Sequence, residues 1–181
     1  LDLVSSQTLL FLNSVEIIII EDLCSKTKIK LFRVPLKRLD NIEIDYKSYK
    51  TGKINCYTDE EIERTYCHVF STEVEKKEVI DEGWERDNNP RISIAIEVDK
   101  NNELIFSEDF TICDLYVYLP TKLKLGFKFI LHGDFDTEVD RKDITDPASN
   151  RFNEIMLKSV VNIFEDIINF LKVILQTNLP A

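Results

Sequence analysis

The sequence predicts an α+β fold, a mixed sheet packed against helices and ending in a long C-terminal helix. Three observations carry this. Arg91 to Val98 alternates Ile92, Ile94, Ile96 and Val98 with Ser93, Ala95 and Glu97, the period-two pattern of a half-buried strand. Several more short β-branched and aromatic runs precede it and follow it. From Phe152 onward the period changes to three and four residues, as on one face of a helix. Strands first and a helix last make a layered α+β arrangement, read as one domain over residues 1–181.

In chain order, Ser5 to Leu12 reads as a short helix with Ser5 or Ser6 as its cap. Val15 to Ile20 is continuously apolar apart from Glu16, and we expect a central strand buried on both faces. Ile29 to Val34 is its partner. Asn41 to Tyr46 and Ile54 to Tyr57, around Gly52, are weaker strands. Thr65 to Val74 is a strand carrying Tyr66, His68, Phe70 and Thr72 on one face. Glu75 to Pro90 is charged and holds Gly83 and Asn88-Asn89-Pro90, so a partly mobile loop is expected. Asp99 to Asn102 is a turn, and Glu103 to Phe106 pairs back across it. Leu115 to Leu119 is a strand stopped by Pro120. Phe127 to Leu131 is the last strand. The final helix runs on Phe152, Met156, Val160, Ile163, Ile167, Leu171 and Ile174, widened by Phe164, Ile168 and Leu175. Asp146, Ser149 or Asn150 caps it. The stripe is broad enough for core packing and for a seam with a second copy.

Composition narrows the function. Of 181 residues, 44% are hydrophobic and 31% charged, which suits a globular domain rather than a disordered one. The net charge of -10 disfavours sequence-independent binding to nucleic acid or to an anionic membrane. No run approaches the roughly 18 apolar residues of a membrane-spanning helix. Cys24, Cys56, Cys67 and Cys113 fit no C-x-x-C metal or redox spacing and read as small apolar residues of a reducing, cytoplasmic setting. The chain opens at Leu1 and its methionine is Met156, so we expect a piece of a longer protein.

Phosphate cradles need glycine, because backbone N–H groups must approach the anion closely. Gly52, Gly83, Gly126 and Gly133 are never closer than seven residues. A P-loop, a dinucleotide fingerprint and a glycine-rich lid are therefore absent from the sequence. The chain alone is not expected to bind or hydrolyse ATP, and no cofactor or metal is assigned to it. His132 beside Gly133, with Asp134 and Asp136, would be the core of a small hydrolase, but no nucleophile elbow accompanies them. Asp134, Asp136 and Asp140 as a metal site read more simply as solvated loop carboxylates. Lys26, Lys28, Lys30, Arg33, Lys37 and Arg38 read as lysine-type guards on an edge strand, with a contact to nucleic acid or an acidic partner as the sharper option. Trp84 reads as a tucked aromatic, with a partner anchor as the sharper option.

The most informative stretch is Leu119 to Asp143. It reads Leu119-Pro120-Thr121, then Gly126-Phe127-Lys128-Phe129-Ile130-Leu131-His132-Gly133-Asp134-Phe135, then Asp140-Arg141-Lys142-Asp143. With the Leu9-Leu10-Phe11-Leu12 helix leading into Val15 to Ile20, this resembles the transducer domain of the GHKL ATPases related to sacsin and the plant protein NO VEIN. The Arg141 loop is similar, more distantly, to one in the middle domain of the ninety-kilodalton heat-shock chaperone. Asp140 stands where that pattern has serine, and Lys142-Asp143 where glutamate follows.

The resemblance implies a domain that serves a preceding GHKL nucleotide-binding lobe, absent from this chain, which would bind ATP and Mg²⁺. It implies a basic residue offered to the γ-phosphate on closure, with motion passed to a client protein. Arg141 is the residue expected to do this and Lys122 the second catalytic candidate. Lys124 and Lys142 are the expected further contacts to the nucleotide. The simpler reading of Arg141 is a surface side chain paired with Asp140 or Asp143. The rival function is a stand-alone protein–protein interaction module that uses the sheet edge or the last helix.

Overall fold

Alternating side chains decide the architecture, because they give most strands two apolar faces to cover. The computed structural model describes residues 6–12, 14–24, 26–44, 47–59, 64–99, 101, 103–105, 114–126 and 129–177. Among them, eight strands form one mixed sheet: β1 (Ile17–Asp22), β2 (Thr27–Ile44), β3 (Lys47–Thr58), β4 (Arg64–Glu73), β5 (Arg91–Val98), β6 (Asp114–Val117), β7 (Leu119–Lys124) and β8 (Ile130–Gly133). The spatial order is β1-β2-β3-β4-β5-β8-β6-β7. The first five strands form an antiparallel meander. β8 then adds antiparallel to β5 and parallel to β6, which makes the sheet mixed. The α+β class expected from the pattern is the one observed.

The long helix α1 (Arg151–Thr177) covers one face. Its Phe152, Met156, Val160, Ile163 and Ile167 bury against Phe70, Ile92, Ile94, Leu115, Val117 and Leu131. Phe129 and Phe164 meet here with ring centroids 4.5 Å apart. The opposite face carries the odd-numbered partners Leu31, Val69, Cys67 and Ala95 with Ile54, Cys56, Tyr116 and Ile130. A 3-10 turn over Ser6–Leu9 and the next residues cover that face with Leu9, Leu10 and Phe11. Each side chain of β5 thus finds an apolar neighbour on its own side, as the pattern demands.

Four local expectations change. The N-terminal segment is a single 3-10 turn rather than a regular helix, and Ser5 lies outside the described residues. β1 is not central. Among the described residues it pairs with β2 alone and forms the edge of the sheet, with Ile17 52% and Ile19 54% exposed. The lysine-bearing β2 is therefore the second strand, and its Arg33 is buried rather than a surface guard. Pro120 does not end a strand. The chain reverses at Tyr118, and Pro120 sits inside β7, opposite Tyr116.

The segment Glu75 to Pro90 is a loop with two short 3-10 turns, and part of it packs onto the core. Val79 is fully buried, and Trp84 is 7% exposed with its ring stacked on Phe152 at 5.5 Å. The Trp84 indole N–H donates to the Asn88 carbonyl at 2.6 Å, so its polar end is satisfied. The tucked reading of this tryptophan is the observed one. The hairpin after β5 is present, with Val98 bridging Leu104. Phe106, Cys113, Phe127 and Lys128 lie outside the described residues. No described helix is long and apolar enough to cross a membrane.

Candidate phosphate-facing loop

The segment after β8 doubles back on itself and lies along β7, at the opposite edge of the sheet from β1. Thr137 bridges Ile144, and the Glu138 N–H donates to the Asp143 carbonyl at 3.0 Å. At its tip the Arg141 N–H donates to the Glu138 carbonyl at 2.8 Å. Arg141 itself takes a left-handed backbone, φ 57°, which costs a non-glycine residue about 1 kcal/mol or more.

The Lys122 N–H of β7 donates to the Lys142 carbonyl at 2.6 Å. This bond brings Lys122, Arg141 and Lys142 to one place. It also ties the loop to the sheet edge. The same bond shows which way β7 points its backbone. Lys122 faces outward, so Pro120, two residues earlier, has its missing N–H on the outer side too. A proline is tolerated there because no β6 carbonyl needs that donor.

Charge pairing inside the loop is selective. The Lys142 ammonium lies 2.6 Å from Asp140, whose other oxygen accepts the Lys142 N–H at 3.0 Å. The hydrogen bonds from Lys142 hold the Asp140 carboxyl below its ordinary range, with a smaller contribution from the Lys122 charge. Asp143 is used by the Ile144 N–H at 2.9 Å. The expected pairing of Arg141 with Asp140 or Asp143 is therefore not found. Arg141 is exposed, and its guanidinium has no side-chain partner among the described residues. The Lys124 backbone belongs to β7, and its side chain lies outside the described residues.

Two buried clips fix the loop. One is Asn153 in the first turn of α1, which is 0% exposed. Its Oδ1 accepts the Asp136 N–H at 2.9 Å, and its Nδ2 donates to the carbonyls of Asp136 at 2.9 Å and Thr145 at 2.8 Å. Asn150 caps the helix by accepting the Asn153 N–H at 2.8 Å and also donates to Asp136. One asparagine thus closes the base of the loop onto a helix end. No sequence reasoning singled it out, although an Asn-x-x-Asn pair before an apolar stripe is a visible cap signal.

The other clip is Asp134, which is 6% exposed. One oxygen accepts the Tyr118 hydroxyl at 2.6 Å and the other accepts the Arg91 N–H at 2.8 Å. Tyr118, at φ 63°, is a bulky residue in left-handed backbone, and this bond helps hold it there. Arg86 donates to the same hydroxyl at 3.2 Å while lying over the Trp84 ring. Thr121 completes the corner, its hydroxyl donating to the Leu115 carbonyl at 2.9 Å. The start of β7, and with it Lys122, is held from several sides. Gly133 is required by close approach, since a Cβ there would sit 2.4 Å from the buried Phe135 ring.

His132 is 0% exposed and stacked on Phe11 at 4.9 Å, with Tyr118 edge-on at 5.4 Å. Neither ring nitrogen has a hydrogen-bond partner among the described residues. Burial pushes its pKa down to about 4, helped by the nearby Arg91 charge. It is a neutral core residue, and Asp134 beside it is occupied as a clip. Among the described residues no three His, Cys, Asp or Glu side chains converge to hold a metal ion. Cys24 is exposed, and Cys56 and Cys67 are buried. Burial pushes the Cys56 thiol up to about 12, so it is inert at neutral pH. No family model, no curated protein and no solved structure matches this chain.

Proposed function

We propose that this chain acts as a transducer-type domain, offering Arg141 to the γ-phosphate of ATP held by a neighbouring GHKL lobe. The supporting observation is the loop itself. Arg141 stands exposed and without a side-chain partner among the described residues, on a turn anchored by Asn153, while Lys142 is taken by Asp140 and Lys122 is held alongside. An anchored loop with one uncommitted guanidinium suits a group that must meet charge developing elsewhere. The fork of an arginine fits phosphate oxygens in two directions at once. Arg141 and Lys122 are then the catalytic pair, and Lys142 and Lys124 are outer contacts whose charges draw the phosphates in. Mg²⁺ would be held with the nucleotide by the other lobe. Closure would bring the lobes together and pass motion through the sheet to a client.

The test is steady-state ATP hydrolysis by the lobe and this domain together, comparing wild type, Arg141→Ala and Lys122→Ala. Loss in Arg141→Ala supports the reading. Loss confined to Lys122→Ala moves the role to the corner at Thr121. Unchanged turnover in both refutes a hand in the chemistry.

A further inference from the structure

The tip of the Arg141 loop takes its shape from its own bonds. Glu138 to Asp143 are all exposed, so core packing does not mould it. The Glu138 N–H donates to the Asp143 carbonyl at 3.0 Å and closes the reversal. The Arg141 N–H reaches back to the Glu138 carbonyl at 2.8 Å, with Val139 and Asp140 between them. Arg141 then stands at φ 57°, a left-handed position where glycine is usual after such a turn. A long side chain keeps that backbone only where its surroundings over-determine it.

Asp140 supplies the bond that spans Arg141. Its Oδ1 accepts the Lys142 N–H at 3.0 Å, closing a ring over the residue between them. A side-chain oxygen that accepts the N–H two residues on takes the place of a backbone turn. Its Oδ2 accepts from the Lys142 ammonium at 2.6 Å. The Lys142 carbonyl is in turn held by the Lys122 N–H of β7 at 2.6 Å. Lys142 is thus fixed at its N–H, its carbonyl and its ammonium. Arg141 is caught between that residue and the Glu138 carbonyl.

We propose that Asp140 is a positioning residue for Arg141, locking the left-handed backbone from which the guanidinium is presented to phosphate. The inference rests on the transducer reading above, in which Arg141 meets the γ-phosphate. Asp140 touches no substrate and acts through Arg141. Without the spanning oxygen, Arg141 relaxes to the ordinary negative φ and its side chain leaves the loop in another direction. A cation displaced in this way loses its hold on charge that develops in the transition state. Binding of ATP in the ground state, made by the other lobe, is little changed.

The test compares wild type with Asp140→Ala, which removes the spanning oxygen, and Asp140→Asn, which keeps one. In the chain alone, left-handed backbone brings the Arg141 N–H and Hα together and gives a strong intraresidue nuclear Overhauser effect. That signal is expected in wild type and Asp140→Asn and should be lost in Asp140→Ala. With the nucleotide lobe and Mg²⁺-ATP, kcat should fall at least about fivefold in Asp140→Ala with KM within about twofold, and Asp140→Asn should restore most of it. In an Arg141→Ala background, Asp140→Ala should cost nothing more, because it acts through Arg141. A strong signal that survives in Asp140→Ala overturns the proposal. So does a kcat loss that repeats in full in the Arg141→Ala background, or normal kcat in Asp140→Ala where Arg141→Ala is impaired. Normal kcat in Arg141→Ala itself refutes the transducer reading, and the role of Asp140 with it.

Discussion

Replacing Asn153 tests the loop anchor most sharply. Asn153→Ala deletes three hydrogen bonds and strands the Asp136 N–H and the Thr145 carbonyl, while the Asp136 carbonyl keeps the Thr145 N–H at 3.0 Å. A net hydrogen bond is worth about 1 kcal/mol, and a stranded buried group costs about 1–3 kcal/mol. Water entering the space would recover part of this, so a loss of about 3 kcal/mol is expected. That is a large share of the roughly 5–15 kcal/mol of a typical domain. Asn153→Asp separates this account from its rival. Asn153 is the third residue of the helix, where a carboxylate gains about 0.3–1 kcal/mol from the helix dipole. Against that gain, the second oxygen would face two carbonyls with no proton to offer. The substitution should therefore destabilise at pH 7, and recover in part when acid protonates the new carboxyl. Urea denaturation at pH 7 and pH 4 measures both. A loss below about 1 kcal/mol in Asn153→Ala, or a fully stable Asn153→Asp at pH 7, refutes the anchor.

Three more outcomes follow from the same structure. His132 has a folded pKa of about 4 against an ordinary 6.5, so its contribution is complete above pH 6.5 and is lost as pH falls toward 4, reaching about 3 kcal/mol. His132→Phe should flatten stability over that window, and an unchanged slope by denaturation would contradict it. Gly133→Ala should lower stability by about 1–3 kcal/mol, because the Phe135 ring must leave its place; thermal melts check this, and an unshifted Tm would mean that the ring has room. The chain alone should show no ATP binding by calorimetry at about millimolar nucleotide, since no glycine cradle exists, and saturable Mg²⁺-dependent binding would break that argument.

What was legible in the sequence follows local periodicity. β5 and α1 were readable because their patterns record which face is covered, and the structure covers those faces. β1 was misread because four consecutive isoleucines look alike in the middle of a sheet and at its edge. Only what lies beyond the strand decides, and that is a tertiary fact. The acidic residues at both ends were the available hint. Pro120 was misread because its effect depends on which way β7 points its N–H groups. The loop residues Lys122, Arg141 and Lys142 stood out by resemblance, and the backbone bond that joins them is invisible in sequence. Asn153 and Tyr118 were missed for the same reason. Their roles are set by carbonyls and carboxylates far along the chain.

The central claim is that Arg141 serves chemistry rather than folding. Its side chain is exposed and makes no hydrogen bond or ion pair among the described residues, so Arg141→Ala should change stability by about 0.5 kcal/mol or less. The measurement that bears most directly on the claim is kcat and ATP affinity for Arg141→Ala and Arg141→Lys, with the nucleotide lobe present. The account predicts affinity within a few-fold of wild type, kcat down at least about tenfold in Arg141→Ala, and partial rescue by Arg141→Lys. Unchanged kcat in Arg141→Ala, or a loss traced wholly to unfolding, would contradict it.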